Sequence, residues 1–427
     1  MYFINENLFF RKIPFYLTIL LPIFLVTGPF LPDLAISICS IIFLVNSYKN
    51  RLISYYKNIF FIVFFFFYIY LNLSSLLSPN IFFSLGTSLP YLRFGIFVLS
   101  TWYLLNNEED KLLKYFFYCF LCVFSFLIID GFYQAYNKYN LFNYPLLGNR
   151  VSSFFGNELI LGSFLSRNYP IFIGLFLVLL NSSKISKKII YLTYAVLSFV
   201  PVLVFISGER SSFFYIIITM MYLTLFCLKY VKFFLLISTF LLSIIVFSNY
   251  GNFANRIFTE TKAQLTVDTH EGKILNIFSK VHEDHFKAAI KIFKDHVITG
   301  AGPKSFRIKC SEDKYIISNQ SCITHPHNTY LQLLSETGII GFFYIFIIFC
   351  VLCFYSLKII YDKYVLNLKI NIFKVCLLVS FVITLWPLIP SGNFFTNWLN
   401  VIYYLPVGFF MWVYKKRTKK MKRFFLK

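Results

Sequence analysis

"NIFFIVFFFFYIYLNLSSLL", residues 58–77, runs for twenty positions without a charged side chain. A helix rises about 1.5 Å per residue, so such a run reaches across a hydrocarbon layer about 30 Å thick. Comparable runs recur along the 427-residue chain near 13–29, 31–46, 86–105, 114–133, 164–181, 188–207, 211–228, 231–249, 338–357, 373–390 and 396–413, which predicts twelve spans. Composition agrees: 58% of residues are hydrophobic and 22% aromatic, but only 14% are charged, whereas soluble domains carry about a quarter charged. The expected fold class is all-α, a polytopic membrane protein of about 12 transmembrane helices with a large, partly helical periplasmic loop. The first run follows Arg11 and Lys12 and lacks a small-residue cleavage site, so it reads as a span and not as a cleaved signal peptide.

Basic residues set the expected orientation. With the N-terminus inside, segments 1–12, 47–57, 106–114, 182–188, 229–232, 358–374 and 414–427 are cytoplasmic and hold 24 of the 40 Lys and Arg. The short outer loops 30–32, 78–85, 208–210 and 391–395 hold Arg210 alone. Both termini are therefore expected in the cytoplasm, and the tail KKRTKKMKRFFLK is a basic anchor. The net charge of +22 reads as topology and attraction to anionic lipid. It is spread over loops and forms no folded basic domain, which argues against a nucleic-acid partner.

Four regions follow: spans 1–9 over 1–249 with an outer loop at about 134–163, an outer loop at 250–337, spans 10–12 over 338–413, and the tail 414–427. The loop 250–337 carries 9 of the 18 acidic residues, 11 Lys and Arg, and all six histidines (270, 282, 285, 296, 325, 327). Within it Phe286, Ala289, Ile290, Phe293 and Val297 recur at helical spacing, after Ser279 and before Gly300. This predicts an amphipathic helix lying on the bilayer or on the other helices. Cys310 and Cys322 both fall in this loop, where an oxidising compartment permits a disulfide between them. The remaining seven cysteines lie in or beside spans. Zinc binding by the two loop cysteines with His325 and His327 fits no familiar spacing, and no metal or other cofactor is expected.

"THPHNTYLQLLSETGIIG", residues 324–341, places His325 and His327 at the predicted entry to the tenth span. A helix beginning at His327 puts Leu331 and Leu334 on its face, and Asn328, Gln332 and Glu336 on a separate polar stripe. A histidine at a water–lipid boundary suits general-base chemistry, and it equally suits an interfacial cap. Arg210, in "ISGERSS", and Arg93, inside the fourth span, offer planar donors for phosphate oxygens; snorkelling or a structural partner is the competing reading. Asp130, Gln134, Arg150, Glu158 and Arg167 are polar residues near the same outer level, which either converge on a cavity or pair with one another. "TGAGPKSFR" lacks the phosphate-loop spacing and reads as a helix stop and turn, although Lys304 and Arg307 in it can meet an anion.

His327-Asn328, followed after nine residues by Gly338 and then Gly341, resembles the signature of the O-antigen ligase and polymerase superfamily. "FKDHVITGAGPKSF" is similar to the family's segment upstream of that motif. "SGERSS" and "RVSSFFGNELILGSFL" resemble two further family segments, and the likeness extends from about residue 86 to 413. The resemblance implies an inverting, metal-independent transfer of a glycan from undecaprenyl pyrophosphate. For a ligase the acceptor is a sugar of the lipid A core, and for a polymerase a second lipid-linked glycan. It implies a multi-pass protein of the bacterial inner membrane with the chemistry at the periplasmic face.

By the same resemblance His327 takes the place of the proposed base and Arg210 that of a pyrophosphate-holding arginine. Arg93, Arg150, Glu158, Lys304, Arg307, His325 and Asn328 are candidates for binding the substrate, with Gly338, Gly341, Cys310 and Cys322 structural. Family members often carry a further arginine before the amphipathic helix. Here that neighbourhood reads "SKVHEDHFKAA", with Arg256 well upstream, so the second phosphate ligand stays open. A lipid-linked sugar transporter is the alternative of another class, but no internal repeat supports it.

Overall fold

Inside a bilayer each backbone N–H and C=O has to be bonded within its own segment, and the apolar runs close into helices for that reason. The computed structural model describes residues 8–248, 252–269 and 272–425; His270, Glu271 and the last two residues of the tail lie outside them. In chain order the helices are α1 (Ile13–Val26), α2 (Phe30–Lys49), α3 (Ile59–Leu76), α4 (Ile81–Ser88), α5 (Leu92–Asn137), α6 (Leu161–Asn181), α7 (Lys187–Ile206), α8 (Arg210–Ser248), α9 (Phe253–Ile257) and α10 (Thr259–Leu265). A hairpin of β1 (Thr266–Thr269) and β2 (Gly272–Leu275) follows, antiparallel with Thr266 opposite Leu275. Then come α11 (Lys280–Asp295), α12 (Phe306–Lys309), α13 (Thr329–Tyr364), α14 (Ile372–Thr384) and α15 (Asn397–Phe425).

Among the described residues, eight helices are long and apolar enough to cross a membrane: Phe9–Val26, Phe30–Lys49, Ile59–Leu76, Ile81–Asn137, Leu161–Asn181, Lys187–Ile206, Arg210–Ser248 and Thr329–Tyr364. Two loops expected from sequence are replaced by bends. Helix α5 runs through the predicted loop 106–114 and breaks only at Glu108 (φ −131°, ψ 36°). Helix α8 runs through 229–232 and breaks at Cys227 (φ −137°, ψ 26°). Both predicted loops are short, and Lys111 ties back to Glu108 at 3.6 Å, so each helix is interrupted at a single non-helical residue only. The predicted eleventh span, 373–390, is helical only to Thr384, after which Pro387 and Pro390 hold the chain in turns.

Segments that the charge pattern assigns to one side meet one another. Lys184 pairs with Asp110 at 2.6 Å, and Asn106 donates to the Tyr55 hydroxyl at 2.9 Å. Lys363 and Tyr364 both donate to the Leu225 carbonyl. At the opposite ends of the helices, α3 and α4 hold the loop after α11. Ser74 and Ser78 donate to the carbonyls of Thr299 and Ala301, each at 2.7 Å, and the Ser84 and Ser305 hydroxyls lie 3.2 Å apart.

The core is aromatic, with α5 at its centre. Phe94, Phe97, Phe116, Phe117, Phe120 and Phe124 on this helix are all fully buried. Phe117 stacks on Phe172 of α6, ring centres 5.6 Å apart. Such pairs add specificity to a core in which apolar area alone distinguishes little between lipid and protein.

The register between the large loop and α13 is set by two glycines. Gly300 and Gly338 have φ of +69° and +64°. A Cβ on Gly300 would lie 2.2 Å from the Glu336 backbone, and one on Gly338 would lie 2.2 Å from the Ile298 carbonyl oxygen. Only glycine satisfies both the angle and the approach. The two strips of backbone then bond directly: Ala301 N–H to Ser335 O (2.9 Å), Gly302 N–H to Glu336 O (2.8 Å) and Ile339 N–H to Val297 O (2.9 Å). The TGAGP turn is thus a clasp on the bent start of α13. A methyl on Gly341 would collide with the Thr337 side chain one turn earlier.

Candidate active site

Four imidazoles gather above α13. His282 and His285 come from the first turns of α11, and His325 and His327 from the loop before α13. Ring centres of His327 lie 4.3 Å from His325, 5.4 Å from His282 and 5.6 Å from His285. Helix α11 starts after Ser279 and ends at Asp295, one turn before the expected stop at Gly300. Its buried face also differs from the expected one. His285, Ala288, Ala289 and Ile292 are buried, while Ile290 is 38% and Val297 46% exposed. Of the apolar stripe that defined the helix in the sequence, Ala289 lies on the packed face and Ile290 and Val297 flank it, and the small residues Ala288 and Ala289 let α11 approach α13 closely.

His327 is not on the helix that follows it. Its φ is +53°, and α13 begins at Thr329 with Asn328 as N-cap. The Asn328 side-chain oxygen accepts from the N–H groups of Tyr330 (3.0 Å) and Leu331 (3.1 Å), and its amide donates to the Pro387 carbonyl at 2.8 Å. Asparagine out-competes histidine as a cap because its short side chain reaches the second and third N–H groups. The predicted sharing of a helix face by His327, Leu331 and Leu334 is overturned by this cap. The His327 carbonyl accepts from Ser391 N–H at 2.8 Å, which ties the histidine to the turn before α15.

Cys310 and Cys322 are bonded, with Cα atoms 5.0 Å apart, so neither offers a thiolate to a metal. Cys310 packs with Ala288, Ile292, Phe306 and Tyr315 in a small core of its own, which holds the strand of chain leading to His325.

The histidines are held neutral. Burial pushes His327 and His285 below the ordinary imidazole value, with His285 adding to the effect on His327. Burial, and then the charge of His327, take His282 down to about 4 and His325 to about 3. Arg210 acts on His282 and Arg307 on His325, so the cluster has a guanidinium on either flank. Neutral imidazole carries the lone pair that a base needs.

Beside it lies a group of arginines. A Cβ on Gly208 would come within 2.9 Å of Arg150 Cγ and 3.1 Å of Arg256 Cγ, so the two side chains straddle the turn before α8. Arg150 donates to the Ser207 carbonyl at 3.2 Å. Arg210 donates to Gln264 Oε1 at 2.6 Å and to the Arg256 carbonyl at 3.2 Å. Glu260 pairs with Arg256 and lies 3.9 Å from Arg210. Glu209 acts on Arg150 but is bonded to the start of α6. It accepts from the N–H of Ser163 at 2.8 Å, from Gly162 N–H and from the Ser212 hydroxyl at 3.0 Å, capping α6. Burial raises its carboxyl to about 7. Arg256, left upstream by the sequence reading, lies beside Arg210, which donates to its carbonyl.

The other candidates fall apart into separate places. Arg93 is engaged by Asp33, with Nε and Nη2 at 2.9 and 2.8 Å from one carboxylate oxygen, and its third nitrogen donates to Pro90 O. Glu158 is exposed and away from the histidines' bonding network. Asn328 has its side-chain polar atoms occupied as a cap. Lys304 (φ +62°) is half-buried, its ammonium lowered by burial and by Arg307, and it stands near Glu336, Arg93 and Asp33. Glu336 is fully buried, accepting from Phe306 N–H (3.1 Å) and Gln332 (2.9 Å), so it serves the clasp and not the histidines. Asp130 and Gln134 order the outer loop: Asp130 accepts from Leu141 N–H at 2.9 Å and Gln134 from Ser153 N–H at 2.7 Å. Arg167 is buried over the ring of Tyr215, 4.8 Å from its centre.

Residues 193–346, from within α7 past the bend at Gly338, match the family model described as O-antigen ligase. The match takes in Arg210, Arg256, all four clustered histidines, the cysteine pair, Gly338 and Gly341. No curated protein matches the chain. The chain thus carries a segment similar to the O-antigen ligase family within a protein that has, among its described residues, eight helices long and apolar enough to cross a membrane.

Proposed function

We propose that this protein is an O-antigen ligase-like inverting glycosyltransferase. It moves a glycan from undecaprenyl pyrophosphate to an acceptor hydroxyl on a lipid A core, at the periplasmic face of a bacterial inner membrane. The observation that carries the reading is the adjacency of a neutral histidine cluster and three arginines, Arg150, Arg210 and Arg256, that outnumber their two neighbouring carboxylates, Glu260 and Glu209. A surplus of guanidinium held by protein carbonyls suits a pyrophosphate leaving group, and a neutral His327 suits a base for the acceptor. The step needs nothing else in principle. The acceptor oxygen attacks the anomeric carbon, its proton passes to His327, and the electron pair of the broken C–O bond leaves on the pyrophosphate, where the arginines offset its charge. No metal takes part in this scheme, and the candidate base and phosphate ligands all belong to the chain.

Breaks at Glu108 and Cys227 support a reading of α5 and α8 as two crossings each. With α14 and α15 this makes twelve spans, both termini in the cytoplasm and the histidines outside. An O-antigen polymerase, extending a second lipid-linked glycan, shares all of this chemistry and differs in the acceptor. Reconstitution in vesicles with a lipid-linked glycan and either lipid A core or a second lipid-linked repeat separates the two. Transfer to lipid A core alone is expected, chain extension alone identifies the polymerase, and no transfer to either refutes the enzyme reading.

A further inference from the structure

Several cations of the loop before α13 are paired with carboxylates. Lys280 meets Asp284 at 3.1 Å, Lys309 meets Glu312 at 2.9 Å and Lys314 meets Asp295 at 2.8 Å. Lys304 and Arg307 have no such partner among the described residues, and Arg307 is exposed while Lys304 is half-buried. The carboxylates that act on Lys304 are Glu336 and Asp33. The first is bonded to Phe306 N–H and Gln332, the second to Arg93 and Asn397. The two cations are nonetheless held in place. Lys304 has φ +62°, a setting that side chains rarely adopt, directly after the Gly300–Gly338 clasp. Ser305 and Phe306, between the two cations, are fully buried. Three residues after Arg307, Cys310 is joined to Cys322, which stands three residues before His325. Residues 303–307 are thus fixed to α13 at one end and to the segment leading to His325 at the other. Arg307 is felt on both sides. After burial it is the main influence lowering the Lys304 ammonium, and after burial and His327 it helps to lower His325.

The other flank of the histidine cluster carries Arg210, beside Arg256, and acts on His282. In an inverting displacement the entering and leaving oxygens stand on opposite faces of the anomeric carbon. With His327 as base between the flanks and the pyrophosphate on the Arg210 side, the His325 side is left for the acceptor. A neutral sugar needs no cation there, and two unpaired cations repel one another until an anion joins them. Two positive charges, one of them a planar guanidinium, match a doubly charged phosphate better than a single carboxylate. We infer that Lys304 and Arg307 form an acceptor-side anion site, which takes a phosphate group carried by the acceptor close to its reacting hydroxyl. The inference rests on the reading of His327 as base and of Arg210 as a pyrophosphate ligand. That phosphate has two possible sources: an ester on a sugar of the lipid A core, or the pyrophosphate of a second lipid-linked glycan.

Binding without donor separates this site from the transfer reaction. The probes are core oligosaccharide bearing phosphate on its sugars and the same oligosaccharide stripped by phosphatase. Purified protein in nanodiscs is expected to bind the phosphorylated form roughly tenfold tighter, and Lys304→Gln and Arg307→Gln each to lose that preference. Lys309→Gln, which removes a paired cation from the same helix as Arg307, keeps it. In the reconstituted transfer assay the first two variants raise the KM for the acceptor and leave the KM for the donor at the parental value. Should the core phosphates make no difference while both variants weaken extension of a second lipid-linked glycan, the phosphate is that lipid's pyrophosphate. No preference in the parent together with parental chain extension in both variants overturns the inference. So does a raised KM for the donor, which moves the two residues to the leaving group. Selective binding of the phosphorylated oligosaccharide by a protein that transfers nothing refutes the enzyme reading and supports the anion site, so the two failures are distinct.

Discussion

Arg93 and Arg210 both stand at the ends of long apolar helices, and the protein treats them in opposite ways. Arg93 is closed: each of its three nitrogens has a partner, and Asp33, its carboxylate, is further held by Asn397 at 3.0 Å, so α2, α5 and α15 are tied at one point. Arg210 is open. Its nitrogens meet a neutral amide and a backbone carbonyl, and the nearest carboxylate, Glu260, is shared with Arg256. The Arg210 side chain keeps 29% of its surface exposed against 15% for Arg93. A paired arginine is finished as structure, whereas a group of arginines with one shared carboxylate has charge to offer an anion.

That contrast can be broken or sharpened by mutation. The largest effect is expected at His327, where alanine should lower transfer by about 100-fold or more, measured as glycan appearing on the acceptor. Next, Arg210→Ala and Arg256→Ala should each cost about tenfold or more in turnover while the protein still accumulates in the membrane. Arg93→Ala should do the reverse, lowering thermal stability and yield, with turnover per folded molecule little changed. If Arg93→Ala abolishes turnover in well-folded protein while Arg256→Ala does not, the comparison is wrong. A smaller effect belongs to Asn328→Ala, which removes the cap of α13 and should cost about 1 kcal/mol of stability, read as a lower unfolding midpoint.

The smallest effect is a pH dependence of stability. His282 and His325 bind protons more weakly when folded than the ordinary imidazole value near 6.5. Their contribution to stability is therefore present above that value and lost as pH falls toward about 4 for His282. Thermal unfolding followed from pH 7.5 to 5 should show the midpoint falling, and an unchanged midpoint would place the histidines in contact with water.

Much of this was legible in the residues. Apolar runs such as 58–77 report helices directly, because hydrocarbon leaves the backbone no other partner. The disulfide partners were the two cysteines outside the apolar runs, and the glycines at 338 and 341 were marked by their spacing. What misled was local. His327 was read as the first residue of a helix because Leu331 and Leu334 follow at helical spacing, yet Asn328 takes the cap. Phe286, Ala289, Ile290, Phe293 and Val297 were read as the apolar side of α11; Ala289 is indeed fully buried, but it is Ala288 and Ile292 that share the packed face with it, while Ile290 and Val297 are exposed. Neither Glu108 nor Cys227 is a turn former, and helices that kink at one residue are invisible to a search for loops.

By itself the sequence determined that this is a helical, multi-pass membrane protein with one large polar segment holding its histidines, because burial in lipid and exposure to water leave composition no freedom. Only the tertiary structure decided which polar residues meet. Arg256 lies beside Arg210, His285 lies beside His327 from 42 residues away in the chain, and Asp33 removes Arg93 from the pool of free cations. Those pairings depend on how helices pack and where the Gly300–Gly338 clasp sets the loop, and distances of that kind are a property of the folded chain alone.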